Sequence, residues 1–217
     1  MPDAIATTIS VLALAVSSAT AWLTLFRRGT VMMTQPTVIY FGPDKGHWKE
    51  RRAPPKVFLR ALLFSTAKRG RVIESMHVTL ARNEARQTFN IWVYGESKLV
   101  RGSGLFVGET GIAANHHFLA PPDGTAFSFL EGTYRLELYA QILGDRGPKR
   151  LLSQHLDITR DLGAALAQPG AGLYFDWGPE SGRYLPHIEM REPELDPQLL
   201  LESLGLPPRA KVETADE

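Results

Sequence analysis

The chain has no cysteine. That excludes disulfides, thiol nucleophiles and thiolate metal sites, and it is what a reducing compartment favours. Histidine is sparse, and the one adjacent pair is His116-His117. Neighbours on a strand point to opposite faces, so this pair is poorly placed to ligate one metal. The ligand spacings of metal sites are missing elsewhere. A histidine-centred hydrolytic site would need His77, His117 and His155 to converge in space. Ser103 does not lie in a G-x-S-x-G elbow. Gly102-Ser103-Gly104 with Gly108 reads G-x-G-x-x-x-G and runs into strand-like residues, whereas a dinucleotide fingerprint is G-x-G-x-x-G opening a helix. A hairpin or bulge is expected there. Basic residues are not interleaved with a recognition helix or an aromatic RNA-binding motif. The sequence therefore gives no catalytic residue, no cofactor, no metal site and no nucleic-acid partner to expect.

Charge is absent from residues 4–26, AIATTISVLALAVSSATAWLTLF. A helix of that length is about 34 Å long, enough to cross a hydrocarbon core of about 30 Å. Arg27 and Arg28 end it. A cleavable signal peptide is the rival reading, because Ala19-Thr20-Ala21 fits a small-x-small cleavage site. Its flanks are wrong: no Lys or Arg precedes the apolar core, and the run continues through Trp22, Leu23, Leu25 and Phe26. An uncleaved transmembrane anchor over residues 1–28 is expected. The side rich in Lys and Arg stays cytoplasmic, which places the N-terminus outside and the rest of the chain inside, at the plasma (inner) membrane. Trp22 suits the interfacial aromatic belt. Ala6, Ser10, Ala13, Ser17, Thr20 and Thr24 repeat at 4-3-4-3-4 and form a stripe of small residues. Such a stripe allows close helix–helix approach, unless its hydroxyls merely bond back within their own helix.

The near-neutral net charge of +1 conceals a gradient. Residues 27–80 carry 11 Lys and Arg against 3 Asp and Glu, and residues 161–217 carry 4 against 11. Arg27, Arg28, Lys45, Lys49, Arg51 and Arg52 are candidates for contact with anionic lipid, at about 1 kcal/mol each near the surface.

From residue 29 to residue 160 the pattern is of short strands with Gly, Pro and charged turns between them. Strands are expected at 31–40 (interrupted by Pro36), 57–64, 72–80, 88–94, 99–107, 112–119, 126–130, 134–140 and 151–159. In 88–94, Phe89, Ile91 and Val93 share one face, which leaves Trp92 and Tyr94 on the other. Those two rings belong either to a strand covered on both sides or to an exposed aromatic surface that binds a partner. His116 shares a face with Ile112 and Phe118, as a core histidine would. Gly132-Thr133-Tyr134-Arg135-Leu136-Glu137-Leu138 resembles the Gly-x-Tyr opening of a late strand in immunoglobulin-like and fibronectin-like sandwiches. That resemblance implies an antiparallel, all-β two-sheet sandwich, with the Tyr134 hydroxyl bonding backbone upstream. The Cys-Trp-Cys spacing of antibody domains is absent, and the superfold carries no activity with it.

Residues 161–217 read as a C-terminal extension. A helical turn is expected at 162–168, and the aromatic segment 173–177 is expected to pack back on the sandwich. A short C-terminal helix over 197–204 is fully punctuated by Asp196, Pro197, Gly205 and Pro207. Its Leu200, Leu201 and Leu204 form an apolar face for this domain or for a partner. An acidic tail follows. The whole reads as a single-pass, membrane-anchored β-sandwich, a non-catalytic adaptor or assembly subunit that binds an unidentified protein or itself. An extracytoplasmic ligand-binding sandwich is the alternative, and a histidine-dependent hydrolase comes third.

Overall fold

The computed structural model describes residues 2–26, 28–44, 54–96, 98–121 and 127–190. The helix over 197–204 with Leu200, Leu201 and Leu204, and the basic residues Arg27, Lys45, Lys49, Arg51 and Arg52, lie outside the described residues.

The apolar segment is helical: α1 spans Pro2–Ala21 and widens into a π-helical turn over Trp22–Phe26. Among the described residues thirteen antiparallel strands follow, in two sheets. The first sheet has the order β13-β12-β2-β3-β9-β6-β7, with β1 also on β3. These strands are β1 Val31–Met33, β2 Val38–Pro43, β3 Pro55–Ser65, β6 Ile91–Gly95, β7 Val100–Arg101, β9 Ile112–Leu119, β12 Ala171–Gly178 and β13 Arg183–Met190. The second sheet has the order β11-β10-β4-β5, with β8 also on β4. Its members are β4 Arg71–Arg82, β5 Ala85–Phe89, β8 Leu105–Val107, β10 Gly132–Ile142 and β11 Lys149–Ile158. One short helix, α2 at Arg160–Leu166, links the sheets. Thr159 caps it, its hydroxyl accepting from the Leu162 N–H at 3.4 Å.

Alternation decides the core. Val57, Leu59, Ala61 and Leu63 of β3 point inward, opposite Met76, Val78 and Leu80 of β4 and Tyr134, Leu136, Leu138 and Ala140 of β10. Pro36 has no N–H to give a ladder, and the first expected strand accordingly breaks into β1 and β2 on either side of it. The tyrosine corner is present: the Tyr134 hydroxyl donates to the Leu130 carbonyl at 3.0 Å and accepts from the Leu130 N–H at 2.9 Å.

Four strand expectations need correction. The segment 88–94 is not one strand. β5 ends at Phe89 in the second sheet and β6 starts at Ile91 in the first, with Asn90 between them. The crossing resets the alternation, so Phe89, Trp92 and Tyr94 all face the core from different sheets. The segment 99–107 splits in the same way into β7 and β8. Phe127 to Leu130 form no strand. Instead Phe127 meets Phe89 edge-on at 5.5 Å, and Phe129 stacks on Phe41 at 5.0 Å, so these rings plug the end of the core. Finally, 171–190 does more than pack against the sandwich. β12 pairs with β2 through Leu173↔Phe41 and Phe175↔Ile39, and β13 extends the sheet.

Candidate functional site

Side chains along α1 are exposed, among them Ile5, Ile9, Leu12, Leu14 and Val16, and none of the apolar span is buried among the described residues. A single apolar helix of this length is compatible with membrane anchoring. Its polar atoms are prepared for an apolar medium. The hydroxyls of Thr7, Ser10, Thr20 and Thr24 donate to the carbonyls four residues back, at 2.8, 2.9, 2.8 and 2.7 Å. In the small stripe, Ser10, Thr20 and Thr24 are thus already bonded, while Ala6, Ala13 and Ser17 are exposed. Trp22 stacks on Phe26 across the π turn at 5.6 Å, and both rings remain exposed. Nothing in the residue pattern announced that turn.

The histidines do not converge. His117 is on the outer face of the first sheet, against Phe58 at 4.9 Å. His77 and His155 lie on the second sheet, His77 stacked on Tyr139 at 5.2 Å and His155 opposite Arg135. His116 points the other way, into the core, and is fully buried. Its Nδ1 accepts from the Trp92 indole N–H at 3.2 Å, so Nε2 carries the proton, and that N–H has no partner. Burial, helped by neighbouring His117, holds the His116 pKa down at about 4. Burial and then the Lys56 ammonium also hold His117 at about 4, against the pull of Asp44. The core histidine is therefore real but only half satisfied. Among the described residues no three His, Asp or Glu side chains gather as a metal site.

Trp92 is 3% exposed and stacks on Tyr94 at 4.9 Å. The expected choice between a covered strand and an exposed aromatic surface falls to burial for Trp92, with Tyr94 packed against the same core. Gly102 belongs to this packing. A Cβ there would sit 2.0 Å from Trp92 Cε3, and the Gly102 N–H donates to the Trp92 carbonyl at 2.9 Å. Gly102-Ser103-Gly104 is the crossing from β7 to β8, with Gly104 at φ +91°.

Two surfaces went unread in the sequence. The outer face of the first sheet bears one cross-strand row, His187, Tyr174, Tyr40, Phe58 and His117. Tyr174 lies 4.8 Å from Tyr40 and 5.4 Å from His187. Tyr40 occupies space that Gly42 and Gly172 leave open: a Cβ at either would come within 2.4 Å of its ring or hydroxyl. Pairing register creates this row, and register is not written in any one strand. The second surface is a cavity of about 450 Å³ at the β4–β5 hairpin, lined by Leu80, Arg82, Arg86, Gln87, Phe127 and Tyr134. Arg82 donates to the Glu131 carbonyl at 2.7 Å and lies over the Tyr134 ring.

Asp44 and Pro54, whose backbones bond at 3.0 Å, lie at the end of β3 opposite Ser65, and β1 and α1 join at the Ser65 end.

No family model matches the sequence, and no curated protein does. Among solved structures, a similar chain is the CooA pilin subunit from enterotoxigenic Escherichia coli, at 9% identity and a TM-score of 0.31, over 59% of this chain and 97% of that one. A likeness that weak carries no argument about function.

Proposed function

We propose that this is a single-pass membrane protein whose sandwich, on the cytoplasmic side, acts without catalysis as an adaptor or assembly subunit for another protein. The observation that carries the reading is α1. Its apolar side chains, from Leu12 at 60% to Leu14 at 69% exposed, have no cover among the described residues. A bilayer supplies that cover, and the internally bonded hydroxyls remove the cost of placing Thr and Ser there. Orientation rests on Arg27 and Arg28 at the domain side of the helix. Protease added outside intact cells should spare the sandwich, and the mature protein should retain residues 4–21. Digestion from outside, or a mature N-terminus at Trp22, defeats the reading. Recovery of one stoichiometric partner, or of the chain itself, from detergent-solubilised membranes tests the adaptor role.

The cavity at Arg82 and Arg86 favours a second reading, an extracytoplasmic ligand-binding sandwich, which needs the opposite orientation. External digestion together with loss of a bound anionic ligand in Arg86→Gln would select it.

A further inference from the structure

Three Cα steps separate Phe26, the end of the π turn, from Gly29. Gly29 is fixed to the sandwich. A Cβ there would lie 2.5 Å from that of Ala67, and its carbonyl accepts from Arg71 at 2.9 Å. Three steps reach at most about 11 Å. The headgroup layer adds about 5–8 Å per leaflet. With α1 in a bilayer, as proposed above and as this inference requires, the Gly29 end of the sandwich lies in or against the headgroups at any tilt.

That end is a built surface. Arg71 bonds the Gly29 and Leu143 carbonyls and pairs with Asp145 at 2.6 Å. The Ser65 N–H donates to the Gly108 carbonyl at 2.9 Å, and the Phe106 ring lies over Gly70. Lys149 bonds Thr30 and the Val31 carbonyl. These contacts hold the linker and the turns after β3, β8 and β10 together. On the outside of them Phe106 is 62% exposed and Leu143 54% exposed, large values for apolar side chains on a sandwich. Arg28, Lys68, Arg69 and Arg146 are exposed beside them. Of the carboxylates in these turns, Asp145 is engaged by Arg71, which leaves Glu109. Apolar side chains ringed by cations are the composition of a surface that lies in an anionic interface.

We infer that this end of the sandwich docks on the bilayer that holds α1, with Phe106 and Leu143 dipping into the headgroup layer and Lys68, Arg69 and Arg146 contacting anionic lipid. Asp44 and Pro54 lie at the far end of β3, whose 11 residues extend about 36 Å.

The absence of cysteine makes the test direct, since any introduced cysteine is unique. Full-length protein carrying an NBD label at Phe106→Cys, Glu84→Cys or Leu12→Cys is reconstituted in nanodiscs of phosphatidylcholine with or without phosphatidylglycerol. Doxyl-labelled lipid serves as quencher. The Leu12 label should be quenched in both bilayers and the Glu84 label, at the distal hairpin, in neither. The Phe106 label should be blue-shifted and quenched in anionic discs and much less so in neutral ones. Each Lys or Arg shifts the docked-to-undocked ratio about fivefold, so Lys68→Glu with Arg69→Glu should abolish the difference. A Phe106 signal equal in the two bilayers, with Leu12 quenched, overturns docking and leaves the anchor standing. An unquenched Leu12 label removes the anchor and the docking together.

Discussion

At the scale of single residues, the buried histidine makes the fold acid-sensitive. The unfolded chain binds a proton at each histidine near pH 6.5, while folded His116 and His117 resist protonation down to about 4. Between those values the unfolded state holds more protons, so stability rises with pH through this window and is fully present above it. For fully buried His116 the displacement is worth on the order of 3 kcal/mol. Urea midpoints measured from pH 7 to pH 4 should fall steeply for the native chain and clearly less steeply for His116→Leu. An unchanged slope would assign the effect elsewhere. Tyr184 sets the opposite limit. Burial raises its pKa to about 12, although the bond from Gln35 pulls it down. Its stabilising contribution is present below pH 10 and is lost as pH climbs toward 12. Tyr184→Phe should flatten the alkaline limb. It should also cost about 1 kcal/mol at neutral pH, because the hydroxyl donates to the Pro36 carbonyl at 2.8 Å. Gly102→Ala should cost about 1–3 kcal/mol by driving a methyl into the Trp92 ring. Melting curves check both substitutions.

At the scale of elements, α1 separates two uses of small residues. Ser10, Thr20 and Thr24 spend their hydroxyls inside the helix. Any helix–helix contact therefore rests on the close approach that Ala13 and Ser17 permit. Ala13→Leu or Ser17→Leu should weaken association in membranes by about 1 kcal/mol, and Leu12→Ile should leave it unchanged. Equal association of all three would leave the stripe without a role. The strands show what was legible in the chain and what was not. β3, β9, β10 and the part of β4 from Met76 to Leu80 could be read because each alternates without interruption within one sheet, and Gly132 with Tyr134 marked the corner. β5–β6 and β7–β8 could not, because a change of sheet resets the alternation without altering composition, so the faces assigned to Trp92 and Tyr94 followed a register that ends at Asn90. The aromatic row on the first sheet and the Arg82–Arg86 cavity were illegible for a related reason. Both are made by segments far apart in sequence, and periodicity reports only a segment's own faces.

At the scale of the molecule, β12 and β13 complete the first sheet, and the sandwich depends on them. Ending the chain at Gln168 would remove buried Leu173, Phe175 and Tyr184 and strip the partner strand from β2. At about 1.5–3 kcal/mol for each such side chain, the loss of about 5–9 kcal/mol rivals the entire stability of a domain. That truncated protein should lack a cooperative melting transition. A retained transition would show that the first sheet closes without them.

The attachment of β1 also has a mechanical meaning. The strand begins at Val31, directly after the linker, and runs away from the anchor, antiparallel to β3. Its ladder bonds lie across the strand axis. With α1 held in a bilayer, as proposed, tension drawn along the sandwich from that end loads those bonds side by side in shear and does not unzip them singly. Lys149, reaching from β11 to Thr30 and Val31, shares the force with the second sheet before the first can peel. Pulling the domain by its amino end would meet more resistance than pulling it from β13, at the edge of the first sheet.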